Sequence, residues 1–302
     1  MSQFLIITSS KDAASLNMRK KFLDSSRYDF ELISDRWDNN VLYKLKSFIN
    51  SDEEKEQFLQ NNDIFLGLTN QRLIFLDNVN FRDTLMDPDM LIFASRHASK
   101  LGRPSFLVHT TGNWSGDIRY GGRKKELSIG SALMLKAGYL SFLKYAERKV
   151  VNNFSIDLEV SHHGPTNLEK PLIFMELGST PSEWHHNEGG IIAAHAIIES
   201  TIKFTELQRE GSQKIGVGFG GTHYAPQFQK LIKKSDVAIS YICPKYYIRE
   251  INNNLINQML NKNLEEVDYF ILDWSGINSK DKEHLLPLLK EYDVPIKKIK
   301  EF

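Results

Sequence analysis

Short apolar runs alternate with helix-like patterns along almost the whole of this 302-residue chain. This alternation predicts an α/β fold, in which a mixed, mostly parallel sheet carries helices on both faces. The strongest predicted helices span residues 130–148 and 188–208, and shorter ones begin at Pro226 and cover 281–290. The predicted strands are 4–8, 28–33, 63–67, 72–76, 90–94, 105–109, 156–161, 171–177, 214–219, 236–242, 267–273 and 294–298.

The length and composition fit a globular protein with a large core. Hydrophobic residues make up 41% of the chain and charged residues 25%. We expect one domain over residues 1–302, with a possible N-terminal subdomain over 1–100. Two polar stretches, 50–63 and 251–263, fit either a helix with its following loop or a surface insertion.

The charge balance limits the kinds of partner that we expect, and the cysteine count limits the cellular compartment. The 38 basic and 38 acidic residues cancel, so a nucleic acid would have to bind a local basic patch. Cys243 is the single cysteine, which excludes an intrachain disulfide and fits a reducing compartment. No stretch resembles a signal peptide or a membrane span, so we expect a cytoplasmic protein, either a monomer or a homodimer.

Four of the apolar runs end in groups that can do chemistry. His109 ends one run, the pair His162-His163 follows another, Glu176 closes a third, and His223 follows a glycine-rich run. In an open α/β sheet, ligands bind in the crevice beyond the carboxyl ends of the strands. Imidazoles and a carboxylate brought there from separate strands suit a metal site or general acid–base catalysis. We therefore predict that the protein is an enzyme.

The histidine pair lies where a strand should stop. Neighbouring residues in a strand point to opposite faces, but Gly164-Pro165 ends the strand directly after His162 and His163. Both rings could then face one site. The plainer interpretation is one core histidine beside one surface histidine.

The run Leu172-Ile173-Phe174-Met175-Glu176-Leu177 is apolar except for one carboxylate, Glu176. An ionised carboxylate in such a run is costly unless it is paired or bound to a metal, so we expect it to be a base, a ligand or a support for a ligand. The alternative is that the strand turns outward there. Glu183 could bring a second carboxylate to the same rim.

The glycine run 216–221 is weak evidence for a nucleotide site, because it lacks the acidic residue or the Gly-Lys-Ser/Thr ending of the known phosphate-binding motifs. Gly218, Gly220 and Gly221 could instead let a substrate approach the backbone closely, or offer N–H groups to an oxyanion. A crevice bounded by these glycines could accept an amino acid of only one handedness. A purely structural strand end remains the alternative.

Basic residues cluster in two places. Arg119, Arg123, Lys124 and Lys125 form the clearer patch, and the second comprises Lys230, Lys233 and Lys234. Either could bind phosphates, or could simply be a solvated face.

Taken in order, these motifs resemble the archaeal and plant type of D-aminoacyl-tRNA deacylase. The resemblance extends from the strand at Phe4 to at least residue 226, and individually each motif is short. The pieces that carry it are Ser95-Arg96-His97-Ala98-Ser99, His109-Thr110-Thr111-Gly112-Asn113, Glu159-Val160-Ser161-His162-His163-Gly164-Pro165, Glu176-Leu177-Gly178-Ser179-Thr180 with Glu183-Trp184, and Gly220-Gly221-Thr222-His223-Tyr224-Ala225-Pro226.

The resemblance implies hydrolysis of the ester between a D-amino acid and tRNA, which proofreads chirality and recycles the tRNA. It also implies zinc dependence and a three-layer α/β/α fold similar to nucleoside phosphorylases and peptidyl-tRNA hydrolases. The expected catalytic residues, which overlap the expected zinc ligands, are His162, His163, His223 and Glu176. The expected substrate contacts are His97, His109, Asn113, Gly220, Gly221 and Tyr224, and the expected tRNA contacts are Arg123, Lys124 and Lys125.

Two other functions stay open from the sequence. One is a zinc-dependent amidohydrolase or exopeptidase on small substrates, which would use the same histidines and carboxylate. The other is a non-catalytic RNA-binding protein with structural histidines. If zinc is absent, the histidines could act as general base, with glycine-run amides as the oxyanion hole.

Overall fold

A computed structural model describes residues 2–148, 151 and 153–302 of the protein. The strands are β1 (Ser2–Ser9), β2 (Tyr28–Trp37), β3 (Asn40–Phe48), β4 (Asn62–Thr69), β5 (Met90–Ala98), β6 (Ser105–His109), β7 (Ser155–Leu158), β8 (Leu172–Ser179), β9 (Lys214–Phe219), β10 (Val237–Cys243), β11 (Tyr269–Leu272) and β12 (Ile296–Lys298). The helices are α1 (Ala13–Leu23), α2 (Glu53–Asn61), α3 (Ala132–Arg148), α4 (Pro181–Trp184), α5 (Asn187–Glu210), α6 (Pro226–Lys234), α7 (Asn253–Asn261) and α8 (Ser279–Leu289).

The strands of the described chain form two sheets. The larger has the order β2-β3-β4-β1-β5-β8-β6-β7, and the smaller has the order β10-β9-β11-β12. Most neighbouring strands are parallel, and the antiparallel pairs are β2/β3, β3/β4 and β6/β8. The predicted α/β class with a mixed, mostly parallel sheet is confirmed, although the strands are shared between two sheets.

The two faces of the larger sheet are covered differently. Phe4 and Ile6 of β1 point into a core shared with α1, α3 and α5. Leu5 and Ile7, which alternate with them, pack under the irregular segment 73–86. The smaller sheet lies between α6 on one side and α7 with α8 on the other.

A short segment after β7 connects the two sheets. The N–H of Glu159 donates to Val108 O in β6, whereas the N–H of Val160 donates to His223 O. The N–H of Ser161 then donates to Ile242 O in β10. Residues 159–161 therefore link the edge of the larger sheet to the smaller sheet through hydrogen bonds.

Some element predictions were wrong. The predicted strand 72–76 is a 3-10 turn at Leu73–Phe75, and β7 ends at Leu158, earlier than expected. Neither β3 nor α1 was predicted, and α1 escapes notice because Ser15 and Arg19 are among its buried residues. Both polar stretches contain helices, α2 and α7. The single domain, the N-terminal subdomain and the likeness to phosphorylases stay predictions.

Within residues 2–148, 151 and 153–302, every helix is too short or too polar to traverse a lipid bilayer.

Candidate active site

The predicted residues converge on a cleft of about 480 Å³. Because β6 is antiparallel to β8, this cleft does not lie beyond one common carboxyl edge of the strands. Its lining comes from segments that follow β1, β4, β6, β7, β9 and β10, together with parts of β5 and β8. His97, His162, His163, Glu176 and His223 line it, so the predicted histidines and carboxylate do converge. The rest of the lining is Lys11, Asp12, Arg72, Leu73, Ile74, Ser95, Arg96, Ala98, Gly112, Asn113, Trp114, Ser115, Asp117, Arg119, Tyr120, Tyr246 and Tyr247.

A buried carboxylate, Glu159, lies at the centre of the histidines. Its residue is only 1% exposed. Oε1 lies 2.9 Å from Nε2 of His223, while Oε2 lies 3.6 Å from His97 Nδ1, 3.9 Å from His162 Nε2 and 4.0 Å from His109 Nε2. The sequence contained a signal for it, since Glu159 lies inside the predicted strand 156–161 between Leu158 and Val160, but we assigned it no role.

Glu176 is the second buried carboxylate and faces two histidines. Its oxygens lie 3.4 Å from His97 Nδ1 and 3.8 Å from His109 Nε2. Burial by itself would raise the pKa of Glu176, but His109 and His97 outweigh it and hold this pKa well below its usual range. Conversely, burial would lower the pKa of both histidines, but Glu176 and Glu159 leave each raised.

His162 and His163 are held as neutral rings with one nitrogen free. Nδ1 of His162 lies 2.8 Å from Val160 O, and Nδ1 of His163 lies 2.7 Å from Gly164 O. A carbonyl only accepts, so each Nδ1 carries the proton and each Nε2 keeps its lone pair. Burial, reinforced by His109, lowers the pKa of His162 well below its ordinary value and that of His163 to about 4. Neutral imidazoles of this kind can bind a metal or accept a proton.

His223 is bound from two sides. Its Nε2 faces Glu159, and its Nδ1 lies 3.3 Å from the hydroxyl of Tyr246. Burial of its hydroxyl raises the pKa of Tyr246 well above its ordinary value, so the hydroxyl stays protonated at neutral pH. Tyr246 thereby places a further hydroxyl at the cleft wall.

The buried donors form three overlapping groups that could hold a metal ion. The groups are His109 with His162 and His163, Glu159 with His162 and His223, and His97 with Glu159 and Glu176. The contact between His223 Nε2 and Glu159 Oε1 is short but lacks hydrogen-bond geometry. Both oxygens of Glu159 and the Nε2 atoms of His97 and His109 are therefore buried without a hydrogen-bond partner in the described chain. Buried polar atoms without partners are costly, and a cation among them would satisfy them. The donor set therefore fits a divalent metal, but it divides the predicted ligands among the three groups.

The predicted substrate contacts differ in how they meet the cleft. Asn113 lines it, with its amide donating to Gly121 O at 2.8 Å and Arg123 O at 3.1 Å, which holds the loop 112–123 in place. His109 is fully buried beneath the floor, with its ring 4.3 Å from that of His162. Tyr224 lies beside the histidines, 5.4 Å from the His223 ring, and is not in the cleft lining of the described chain.

Gly220 and Gly221 do not line the described cleft. They adopt φ values of 105° and 80° in a turn beside Asp273, and a β-carbon at Gly220 would lie 2.7 Å from Ile277. The N–H of Gly220 donates to Cys243 O, so it is not available to an oxyanion. Gly218 is packed against Phe228. The structure thus uses this run for internal packing, which is the alternative that the sequence left open.

His186, His195, His284 and Glu183 lie outside the described cleft lining and make structural contacts. Glu183 closes a capping box with Thr180 at the start of α4, so the second carboxylate of the site is Glu159 instead. His186 caps α5, His195 is buried beside Tyr28, and His284 lies 2.9 Å from Ile251 O.

The predicted basic patch lies among carboxylates. Arg119 contacts Asp117 at 2.6 Å, and Lys125 contacts Glu250 at 2.9 Å. Arg123 is 3.9 Å from Glu126. Only Arg119 of this patch reaches the cleft lining in the described chain.

Comparison with known proteins places the chain in a family. Residues 84–297 match the family model of D-aminoacyl-tRNA deacylase. The chain is 32% identical over 290 residues to a D-aminoacyl-tRNA deacylase of Pyrococcus furiosus, covering 95% of this chain and 96% of that protein. It is 36% identical over 202 residues to the one of Methanocaldococcus jannaschii, covering 66% and 77%. A solved structure, titled a conserved protein of unknown function AF0625, is similar with a TM-score of 0.79 at 26% identity, covering 99% and 96%. The chain therefore belongs to the D-aminoacyl-tRNA deacylase family.

Proposed function

We propose that this protein hydrolyses the ester bond of D-aminoacyl-tRNA and releases the D-amino acid and free tRNA. The observation that carries the proposal is the convergence of Glu159, Glu176 and the histidines at the floor of one cleft. Its volume of about 480 Å³ lies within the range of small-ligand sites, roughly 300–1,000 Å³. An aminoacyl group on a terminal adenosine is a ligand of that size. Membership of the family supplies the substrate class.

We further propose that a zinc ion binds at Glu159, His162 and His223. Zinc prefers nitrogen and oxygen donors in this combination. Two of these residues line the cleft, so a substrate could reach the ion, and both oxygens of Glu159 lack other partners in the described chain. When bound, zinc lowers the pKa of water towards about 7 and polarises a carbonyl. His163 and Glu176, which we also predicted as ligands, belong to the two adjoining groups.

Side chains of the protein would transfer the protons that the hydrolysis requires. His163 lines the cleft as a neutral ring, so its free Nε2 can accept a proton from the attacking water. His97 also lines the cleft, and its raised pKa suits it to donate a proton to the departing ribose oxygen. Glu176, 3.4 Å from His97, would hold that ring in position. Asn113 keeps the loop over the cleft in place.

The test is loss of the ester from D- and L-tyrosyl-tRNA, with and without a chelator. We expect rapid loss from the D-ester, slower loss from the L-ester, and restoration of activity by zinc after chelation. His186→Ala is a matched control, because His186 caps a helix away from the described cleft lining. Cleavage of short peptides with both esters left intact would favour the amidohydrolase alternative. Binding of tRNA without ester loss would favour the RNA-binding alternative.

A further inference from the structure

On one side of the cleft three cations outnumber one carboxylate, Asp12, which interacts electrostatically with Arg96 without forming a salt bridge in the described chain. Its charged lining residues, apart from histidine, are Lys11, Asp12, Arg72, Arg96, Asp117, Arg119 and Glu176. Asp117 is paired with Arg119, and Glu176 faces the histidines. The carboxylate of Asp12 accepts backbone N–H groups of Ser15 at 2.9 Å and Arg96 at 3.0 Å. Lys11, Arg72 and Arg96 thus line the cleft with no carboxylate salt bridge in the part of the chain that is described.

These three cations come from separate loops that meet at the cleft. Lys11 follows β1, Arg72 follows β4, and Arg96 lies near the end of β5. Lys11 and Arg72 are exposed and Arg96 is half-buried. Strands β4, β1 and β5 are parallel neighbours in that order, so Arg72, Lys11 and Arg96 lie in the same order along one edge of the sheet.

Aromatic rings hold the two guanidinium groups. Arg72 lies 5.1 Å from the centre of the Phe75 ring, and Arg96 lies 5.0 Å from that of Trp184. Stacking on a ring uses the flat face of the guanidinium and leaves its edge N–H groups able to form bidentate bonds. Planar recognition of this type suits a phosphate.

We propose that Lys11, Arg72 and Arg96 bind the phosphodiester groups next to the ester, in the single-stranded 3′ end of the tRNA. This inference rests on the proposed function, because it needs the ester to lie at the histidines of the same cleft. A terminal nucleoside seated there places its 5′ phosphate one ribose away, at the cleft wall. The predicted patch at 123–125 is outside the described cleft lining and ion-paired in part, so it would contact a more distant region of the tRNA.

The test compares three esters of D-tyrosine, carried by adenosine, by the trinucleotide CCA and by whole tRNA. The adenosine ester has no phosphate, so it isolates the chemistry from the proposed contacts. The variants are Lys11→Gln, Arg72→Gln and Arg96→Gln, singly and combined. For the triple variant we expect kcat/KM of the trinucleotide ester to fall at least tenfold relative to kcat/KM of the adenosine ester. The fall should come from a rise in KM. With whole tRNA, the slope of log KM against log salt concentration should decrease by about two units in the triple variant, from about 0.7 for each of three phosphate contacts on a single strand.

Arg119→Gln is the matched control, since it removes a cation from the same cleft that is already paired with Asp117. We expect it to change the ratio less than threefold. The inference would be overturned if the triple variant left the ratio of the two kcat/KM values and the salt slope unchanged. It would also be overturned if Arg119→Gln lowered the ratio equally, or if the triple variant lost as much activity on the adenosine ester. Arg96→Lys, with circular dichroism on every variant, separates lost contacts from lost folding. If the wild type cleaves none of the three esters, the proposed function itself fails.

Discussion

Oε1 of Glu159 lies 2.9 Å from Nε2 of His223, although the two residues come from different sheets of the protein. Glu159 follows β7 at the edge of the larger sheet, and His223 precedes α6 beside the smaller one. The hydrogen bond from Val160 N–H to His223 O, 2.9 Å long, fixes the two segments together. The site is therefore complete only when the two sheets pack against each other.

The cleft histidines should matter for turnover far more than for stability. We expect His162→Ala and His223→Ala to lower kcat/KM by roughly 100-fold, the upper end of what loss of a metal-supporting residue costs, and to shift the unfolding midpoint little. His163 has a φ of 45°, so His163→Asn is the better variant there, because asparagine tolerates that conformation. Ester hydrolysis and thermal unfolding measure the two effects, with His284→Ala as the comparison. Wild-type rates in two of the three folded variants would show that these histidines are structural.

Acid should destabilise the metal-free protein through His163. Its pKa is about 4 in the folded protein, whereas an unfolded histidine has a pKa near 6.5. Between these values the unfolded chain binds a proton that the folded chain does not, so stability falls as the pH drops from about 6.5 to 4. His97 and His109, whose pKa values are raised, act in the opposite direction. Denaturant midpoints at pH 7 and pH 5 should therefore differ less in His163→Asn than in the wild type, and equal differences would contradict this assignment.

The outer basic patch gives a separate prediction about tRNA. Neutralising Arg123, Lys124 and Lys125 together should weaken tRNA binding and lower its salt dependence, since each phosphate contact contributes about 0.7–0.9 to the slope. The rate of hydrolysis of bound substrate should be unaffected. Filter binding at several salt concentrations measures the slope. An unchanged slope would place the tRNA elsewhere, with Lys230, Lys233 and Lys234 as the next candidates.

Chiral selection should act by exclusion of the L side chain. A steric clash rejects one enantiomer without a specific contact to the other, so D-Tyr-, D-Asp- and Gly-tRNA should all be hydrolysed while L-Tyr-tRNA is rejected. Gly220 and Gly221 are packed away from the described cleft lining, so the excluding atoms must belong to residues that do line it. Deacylation rates for the four esters test this. Strong rejection of glycine would show that the site reads the D side chain positively.

The sequence predicted the site residues that stand at strand ends, and it missed the residues whose role depends on tertiary packing. His109, His162, His163 and His223 each stand next to an apolar run or a glycine–proline stop, which marked them as candidates for one site. The way they converge could not be predicted, because β6 is antiparallel to β8 and His223 follows a strand of the smaller sheet. Glu159 carried a local signal as a carboxylate between Leu158 and Val160, but its importance comes from the four rings around it, which only the folded structure brings together. Similarly, Gly220 looked like a substrate contact because glycine permits close approach, whereas the approaching group is Ile277.

The cationic side of the cleft was missed for the same reason. Lys11, Arg72 and Arg96 are far apart in sequence and isolated from other basic residues that would have formed a visible patch. Their common location depends on the neighbouring positions of β4, β1 and β5 in the sheet. By contrast, the conspicuous run Arg123-Lys124-Lys125 is partly neutralised by Glu126 and Glu250.

The single-turnover rate on D-tyrosyl-tRNA in Glu159→Gln tests the central claim most directly. This variant keeps the shape of the side chain and removes the charge that faces the histidines. We expect the bound zinc to be lost and the rate to fall by about 100-fold or more, while the metal-free fold is as stable as before or more so, because an unsatisfied buried carboxylate is costly. Glu183→Gln, which alters a helix cap instead, should retain the rate. A folded Glu159→Gln protein that hydrolyses D-tyrosyl-tRNA within threefold of the wild-type rate would contradict the account.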